Sequence, residues 1–94
     1  MENIDKAKEE FKKSVELNPN FAKGHYNLGV VFEKLKDNDA AIKEYRLALE
    51  FSPFYFEAYN NLGNIYFEKG DLFLAEICFK KAQELMPNIA GIYN

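Results

Sequence analysis

Apolar residues recur at intervals of three and four along most of this chain. Phe21, His25, Leu28, Val31, Phe32 and Leu35 fall on one helical stripe, and Ala41, Tyr45, Ala48 and Leu49 on another. Charged residues fill the positions between, as in the run Lys6, Lys8, Glu9, Glu10, Lys12 and Lys13. This is the period of an amphipathic α-helix, and no segment sustains the strict alternation of a half-buried strand. The pattern predicts helices over 3–17, 21–35, 38–51, 55–69 and 72–85, with a sixth beginning near Ile89. Asn18-Pro19-Asn20 and Ser52-Pro53 end helical stretches, because a proline pushes the residue before it out of the helical region. Two short turns, Lys36-Asp37-Asn38 and Lys69-Gly70-Asp71, join the remaining helices. Asp37 and Asp71 stand where a side chain can cap the next helix. Gly70 can take the left-handed conformation that closes the preceding one. Lys36 holds the matching place and must adopt that conformation at a cost or use a different turn.

A longer period overlies the helical one. Pro19, Pro53 and Pro87 are 34 residues apart. At the same interval come Ala7, Ala41 and Ala75, then Phe11, Tyr45 and Phe79, then Ser14, Ala48 and Ala82. Asn27-Leu28-Gly29 returns as Asn61-Leu62-Gly63. A fixed period of this length is the mark of a helical repeat array. The chain divides as a partial repeat at 1–21, full repeats at 22–55 and 56–89, and the start of a further one at 90–94, all in one repeat segment. Gly29 and Gly63 are expected where the two helices of a hairpin approach closely, facing Ala41, Ala48, Ala75 and Ala82. Phe32, Tyr45, Tyr66 and Phe79 are expected to fill the space between neighbouring hairpins.

Composition narrows the function classes. The 94 residues are 48% apolar, with nine Phe and six Tyr, enough for a packed core and too many for a disordered chain. The formal charge of −3, with lysines interleaved among glutamates, leaves no basic stripe for nucleic acid. No apolar run approaches the ~20 residues of a membrane span. The acidic, polar start is not a secretory signal. The single cysteine, Cys78, excludes an internal disulfide and fits an intracellular, cytoplasmic setting. Neither a metal set nor an acid–base pair stands out. His25, the one histidine, has no second ligand at coordination spacing and reads as a packing residue at the place Tyr59 holds in the next repeat. Cys78 has no His/Asn constellation around it. No cofactor and no enzymatic activity are expected.

These residues resemble the tetratricopeptide repeat family, whose 34-residue helix–turn–helix carries an aromatic, Leu-Gly, an aromatic, Ala, an aromatic, Ala and a closing Pro. The first full copy supplies His25, Leu28-Gly29, Phe32, Ala41, Tyr45, Ala48 and Pro53. The second supplies Tyr59, Leu62-Gly63, Tyr66, Ala75, Phe79, Ala82 and Pro87. The resemblance implies an all-α, right-handed solenoid of antiparallel helix hairpins. It also implies a non-catalytic protein–protein interaction module that holds an extended peptide or partner helix in a concave groove. Carried over position by position, the groove residues are Lys23, Tyr26, Asn27, Val30, Glu33 and Lys34 from one copy. The next copy gives Glu57, Asn60, Asn61, Asn64, Phe67 and Glu68. Asn27 and Asn61 are equivalent, and Asn60 and Asn64 flank the second. Amides that donate and accept suit a peptide main chain, and such a ladder resembles the groove of O-linked N-acetylglucosamine transferases. The bland reading of the same asparagines is a tolerated solvated position. The family's dicarboxylate clamp is not matched: Glu57 and Asn61 stand where one register wants Lys and Arg, and Tyr26 and Val30 where the other wants Lys and Asn.

Two further readings stay open. Phe54, Phe73 and Leu74 occupy places usually polar in the family, and Phe54 belongs to a dense run with Phe51, Tyr55, Phe56 and Tyr59. They form either a contact surface or a group buried under the adjoining loop. The first helix lacks a hairpin partner, which leaves the Phe11, Val15 and Leu17 side open, and the Ile77/Leu85 side is poorly covered. Homo-oligomers through open repeat ends, a self-associating scaffold, are therefore the alternative to peptide binding. A recognition segment of a larger transferase is a third reading.

Overall fold

The computed structural model describes residues 2–86, with side chains from Asn3 onward. The sixth helix expected near Ile89, and the repeat start at 90–94, lie outside the described residues. Five α-helices follow in order: α1 (Glu2–Leu17), α2 (Ala22–Lys34), α3 (Asn38–Phe51), α4 (Phe56–Lys69) and α5 (Leu72–Leu85). Among the described residues there is no strand. The helices match the periodic segments to within a residue at each end. Phe21 and Tyr55 stand just outside α2 and α4 as their N-caps. The chain divides at Pro53 into two compact units, Met1–Pro53 and Phe54–Asn94.

The first unit holds α1, α2 and α3. Its core is His25, Leu28 and Val31 from α2 against Ala41, Tyr45 and Ala48 from α3. Tyr45 is completely buried. Its hydroxyl donates to Glu33 Oε1 at 2.6 Å, and its ring lies 5.6 Å from that of Tyr26. Gly29 exists to admit this ring: a Cβ there would stand 2.7 Å from Tyr45 Cε1. The close approach at Gly29 was expected, but its neighbour is the Tyr45 ring within the same hairpin. The small alanines were expected to face the glycine, and Tyr45 to fill the space between hairpins. The atoms nearest the glycine belong to the Tyr45 ring rather than to an alanine, since a planar ring edge fits over a residue without a side chain.

Val15 of α1 turns toward α2, with its Cγ1 3.2 Å from where a Gly24 Cβ would be. Phe11, one turn earlier on the same face of α1, also lies beside α2, and both residues are half-buried. Leu17 does stay open, at 81% exposure.

The second unit is the hairpin α4–α5. Ala58, Leu62 and Ile65 pack against Ala75, Cys78 and Ala82. Gly63 repeats the device, with a Cβ there falling 2.6 Å from Phe79 Cε1. Phe79, like Tyr45, therefore packs inside its own hairpin.

The two turns within hairpins share one geometry. In the first, Lys36 N–H donates to Glu33 O and Asp37 N–H to Phe32 O. In the second, Gly70 N–H donates to Phe67 O and Asp71 N–H to Tyr66 O. This paired closure needs a left-handed residue. Gly70 supplies it at φ 87°, and Lys36 adopts it at φ 64° despite its side chain. Asp37 caps α3 by accepting from Ala40 N–H at 3.3 Å. Asp71 makes no such bond, so the cap expected there is absent. Its φ and ψ of −81° and 71° resemble those of Asp37, and the structure gives no reason for the difference.

Candidate functional site

The site residues predicted from sequence all lie at the surface of their helices. In the first unit, Lys23 and Lys34 are exposed, while Tyr26, Asn27, Val30 and Glu33 are half-buried. In the second, Glu57, Asn60, Asn64, Phe67 and Glu68 are exposed and Asn61 is half-buried. A helix places residues three and four apart on one face, so Tyr26, Val30 and Lys34 form one line and Asn27 borders it.

That line is one wall of an open groove of about 550 Å³ in the first unit. The other wall comes from α1, through Asn3, Ile4, Ala7 and Phe11. The floor is apolar. Among the lining side chains, the polar groups are two asparagine amides, the Tyr26 hydroxyl and the Lys34 ammonium. Tyr26 is held by its packing on Tyr45, so this wall is pre-organised from the core. Glu33 is tied to the Tyr45 hydroxyl and serves the core rather than the groove. Sequence reasoning placed Tyr26, Asn27, Val30 and Lys34 here but missed Asn3, Ile4 and Ala7. Their signal was the register: Ala7 and Phe11 match Ala41 and Tyr45, which are covered by a preceding helix.

In the second unit, Phe67 lines a separate, strongly apolar depression of about 390 Å³ with Leu72, Ala75, Glu76, Phe79, Lys80 and Gln83. The most exposed aromatics lie on this unit too. Phe73 is 77% and Phe54 76% exposed, and Leu74 is 40% exposed. Burial of these three under a neighbouring loop, one of the two open readings, is excluded for them.

His25 is more than a packing residue. It is buried, and its ring stacks on Phe51 at 5.7 Å. Nδ1 lies 2.8 Å from Glu44 Oε1, and Nε2 lies 2.6 Å from the Pro19 carbonyl oxygen. Each ring nitrogen thus has an oxygen partner. The arrangement ties α2 to α3 and to the turn before α2, a structural role. Tyr59 and Cys78 hold the same two positions in the next repeat. Among the described residues no group of three or more His, Cys, Asp or Glu side chains could hold a metal ion. No helix of the described residues is long and apolar enough to cross a membrane.

Helix hairpins repeating at 34 residues, with a glycine under an aromatic ring in each, define a helical-repeat protein. The pattern described as "TPR repeat" matches residues 1–36 and 34–70, and that described as "Tetratricopeptide repeat" matches residues 56–89. The chain belongs to the tetratricopeptide repeat family. Members of this family are typically non-catalytic modules that bind protein partners. Among solved structures, a crystal structure of MamA is similar at 30% identity and a TM-score of 0.86, covering 88% of this chain and 48% of that one. A second MamA crystal structure is similar at 30% identity and a TM-score of 0.81, covering 87% of this chain and 45% of that one. The structure titled "MamA MSR-1 C2" gives 30% identity, a TM-score of 0.82, and coverage of 88% and 48%. The chain thus spans about half the length of the MamA chains it matches. No curated protein matches it.

Proposed function

We propose that this protein binds a peptide segment of a protein partner through surface-facing helix residues, without catalysis. The carrying observation is the apolar groove of the first unit, whose wall of Tyr26, Asn27, Val30 and Lys34 is held in place by the buried Tyr45. Asn27 supplies an amide beside it. Asn60, Asn61 and Asn64 supply three more on α4, an amide ladder of the kind that holds peptides in O-linked N-acetylglucosamine transferases. Tyr26 and Phe67 offer apolar or stacking contacts. Lys23, Lys34, Glu57 and Glu68 select for charge. The test is to select binders from a displayed library of random peptides and measure their affinity for the wild type, Asn27→Ala, Asn61→Ala and the double variant. The reading expects each single variant to weaken binding and the double variant to abolish it. Unchanged affinity for the double variant sinks the ladder.

A second reading rests on a different observation, the exposure of Phe54 and Phe73. These would make the chain a self-associating scaffold. Solution mass by light scattering over a concentration series separates the two. Under this reading Phe73→Glu converts an oligomer to a monomer, and a wild-type chain that is monomeric throughout rejects it.

A further inference from the structure

α1, α3 and α5 hold the same place in successive repeats, and each leaves the same face exposed. Its first two positions are Asp5 and Glu9 on α1, Asp39 and Lys43 on α3, and Phe73 and Ile77 on α5, and all six residues are exposed. The chain goes on from α3 into a further repeat, so exposure of this face belongs to the repeat itself and not to an end of the array. Where α1 and α3 carry charge, α5 carries a phenylalanine 77% exposed and an isoleucine 48% exposed. Leu72 and Leu74 are different, because the matching Asn38 and Ala40 are half-buried on α3. At about 100° of turn per residue, Phe73 and Ile77 lie on the side of α5 away from Ala75, Cys78 and Ala82, which pack on α4. Lys80 and Glu84 continue the same exposed stripe, and Glu76 borders it.

We propose that this face of α5 pairs with the same face of a second copy of the chain, the two helices running antiparallel about a two-fold axis beside Ile77. This rests on the self-association reading above and gives it one surface and one geometry. The occupant is a second copy because the stripe complements itself. A two-fold interface requires that, where one residue meets another, the second also meets the first. Glu76 and Lys80 lie two residues either side of position 78, and Ile77 lies one residue before it. Turning the helix end over end at that level sets Glu76 of each copy opposite Lys80 of the other. The two Ile77 side chains then meet at the centre. Phe73 comes beside Lys80 and Glu84 of the second copy, whose aliphatic stems can cover its ring. A parallel pair would set Glu76 against Glu76 and Lys80 against Lys80, and like charges disfavour it. The matching face of α3 offers no such pairing, since Asp39 and Lys43 stand where the apolar contact would be.

The test uses the 94-residue protein in analytical ultracentrifugation over a concentration series. The wild type should show a reversible monomer–dimer equilibrium. The variant Phe73→Asp/Ile77→Lys gives α5 the residues that α3 already carries at these positions, so the helix should be retained by circular dichroism while the dimer is lost. Glu76→Lys and Lys80→Glu should each raise the dimer dissociation constant about tenfold or more, and the two together should bring it back to the wild-type value. Under mild oxidation Ile77→Cys should form a cross-linked dimer. Lys43→Cys, its match on α3, should not, nor should the wild type, whose Cys78 is buried. A dimer that persists in Phe73→Asp/Ile77→Lys overturns the proposal. So does a charge exchange that fails to restore association, or cross-linking of Lys43→Cys as readily as of Ile77→Cys. In each of these cases a wild-type dimer leaves the broader self-association reading standing. A wild type that is monomeric at every concentration rejects both.

Discussion

Replacing Gly29 by alanine sets two effects of opposite sign against each other. Alanine is the better helix former, by about 1 kcal/mol in a helix interior. Against this, the new methyl would stand 2.7 and 2.8 Å from Tyr45 Cε1 and Cδ1, and 3.1 Å from Cζ. The ring cannot easily give way. It is completely buried, packs on Tyr26, and is pinned at its far end by the bond to Glu33. Overpacking of this kind costs about 1–3 kcal/mol, so Gly29→Ala should be net destabilising by about 1 kcal/mol. For a domain of this size that lowers Tm by roughly 4–8 °C. The assay is urea and thermal unfolding followed by circular dichroism at far-ultraviolet wavelengths. Segment-resolved hydrogen exchange then shows that the lost protection falls on α2 and α3. Gly24→Ala is the control: the same chemical change meets Val15 Cγ1 at 3.2 Å, Phe21 Cδ2 at 3.4 Å and Ser14 Oγ at 3.7 Å, none closer than 3 Å, and should be neutral or slightly stabilising. Gly63→Ala should cost less than Gly29→Ala, because Phe79 is only half-buried and has no hydroxyl to pin it. In a double-mutant cycle, Tyr45→Leu should remove much of the penalty of Gly29→Ala. If Gly29→Ala is as stable as the wild type or more so, the ring-on-glycine contact is not what fixes the hairpin spacing.

Three more outcomes follow from the turns and the buried histidine. Lys36→Gly should stabilise the first unit by about 0.5–1 kcal/mol, because it relieves a side chain at positive φ; an unchanged urea midpoint contradicts this. Asp37→Ala should cost about 0.5–1 kcal/mol through its lost cap, whereas Asp71→Ala should change stability little; equal losses would show that both aspartates cap. His25→Phe should destabilise by about 1–3 kcal/mol, since it removes the ring-nitrogen contacts to Glu44 and to the Pro19 carbonyl. Adding Glu44→Cys, the residue found one repeat later, should recover part of that loss, and no recovery would separate the two residues energetically.

Most of the fold was legible because two periods coincide in the chain. The helical spacing fixed where each helix lies, and the 34-residue interval fixed which helices pair. Gly70 could be read as a left-handed turn from its type alone. Lys36 could be assigned only through its register with Gly70, since a lysine carries no such preference. What the sequence did not convey was direction within the core. Spacing shows that Gly29 and Tyr45 share an interface, but not that the ring edge, rather than an alanine, meets the glycine. Glu33 shows the same limit from the other side. It falls on the groove face by register, yet its carboxylate reaches the Tyr45 hydroxyl. The His25 bonds to Glu44 and Pro19 join residues 19 and 6 positions away, and no local pattern announces such pairs. The α1 wall of the groove was half-visible, since Phe11 stood out as uncovered while Ile4 and Asn3 did not.

The central claim is that this chain works by holding a protein segment on the surface-facing residues of its helices. It is tested most directly by titrating the labelled protein with a library-selected peptide and mapping amide and side-chain shifts. The account predicts saturable shifts at Tyr26, Asn27 and Val30 of α2 and at Asn60, Asn61 and Asn64 of α4, lost in the Asn27→Ala/Asn61→Ala variant. Shifts confined to Phe54, Phe73 and Leu74, with the asparagines unmoved, would contradict it.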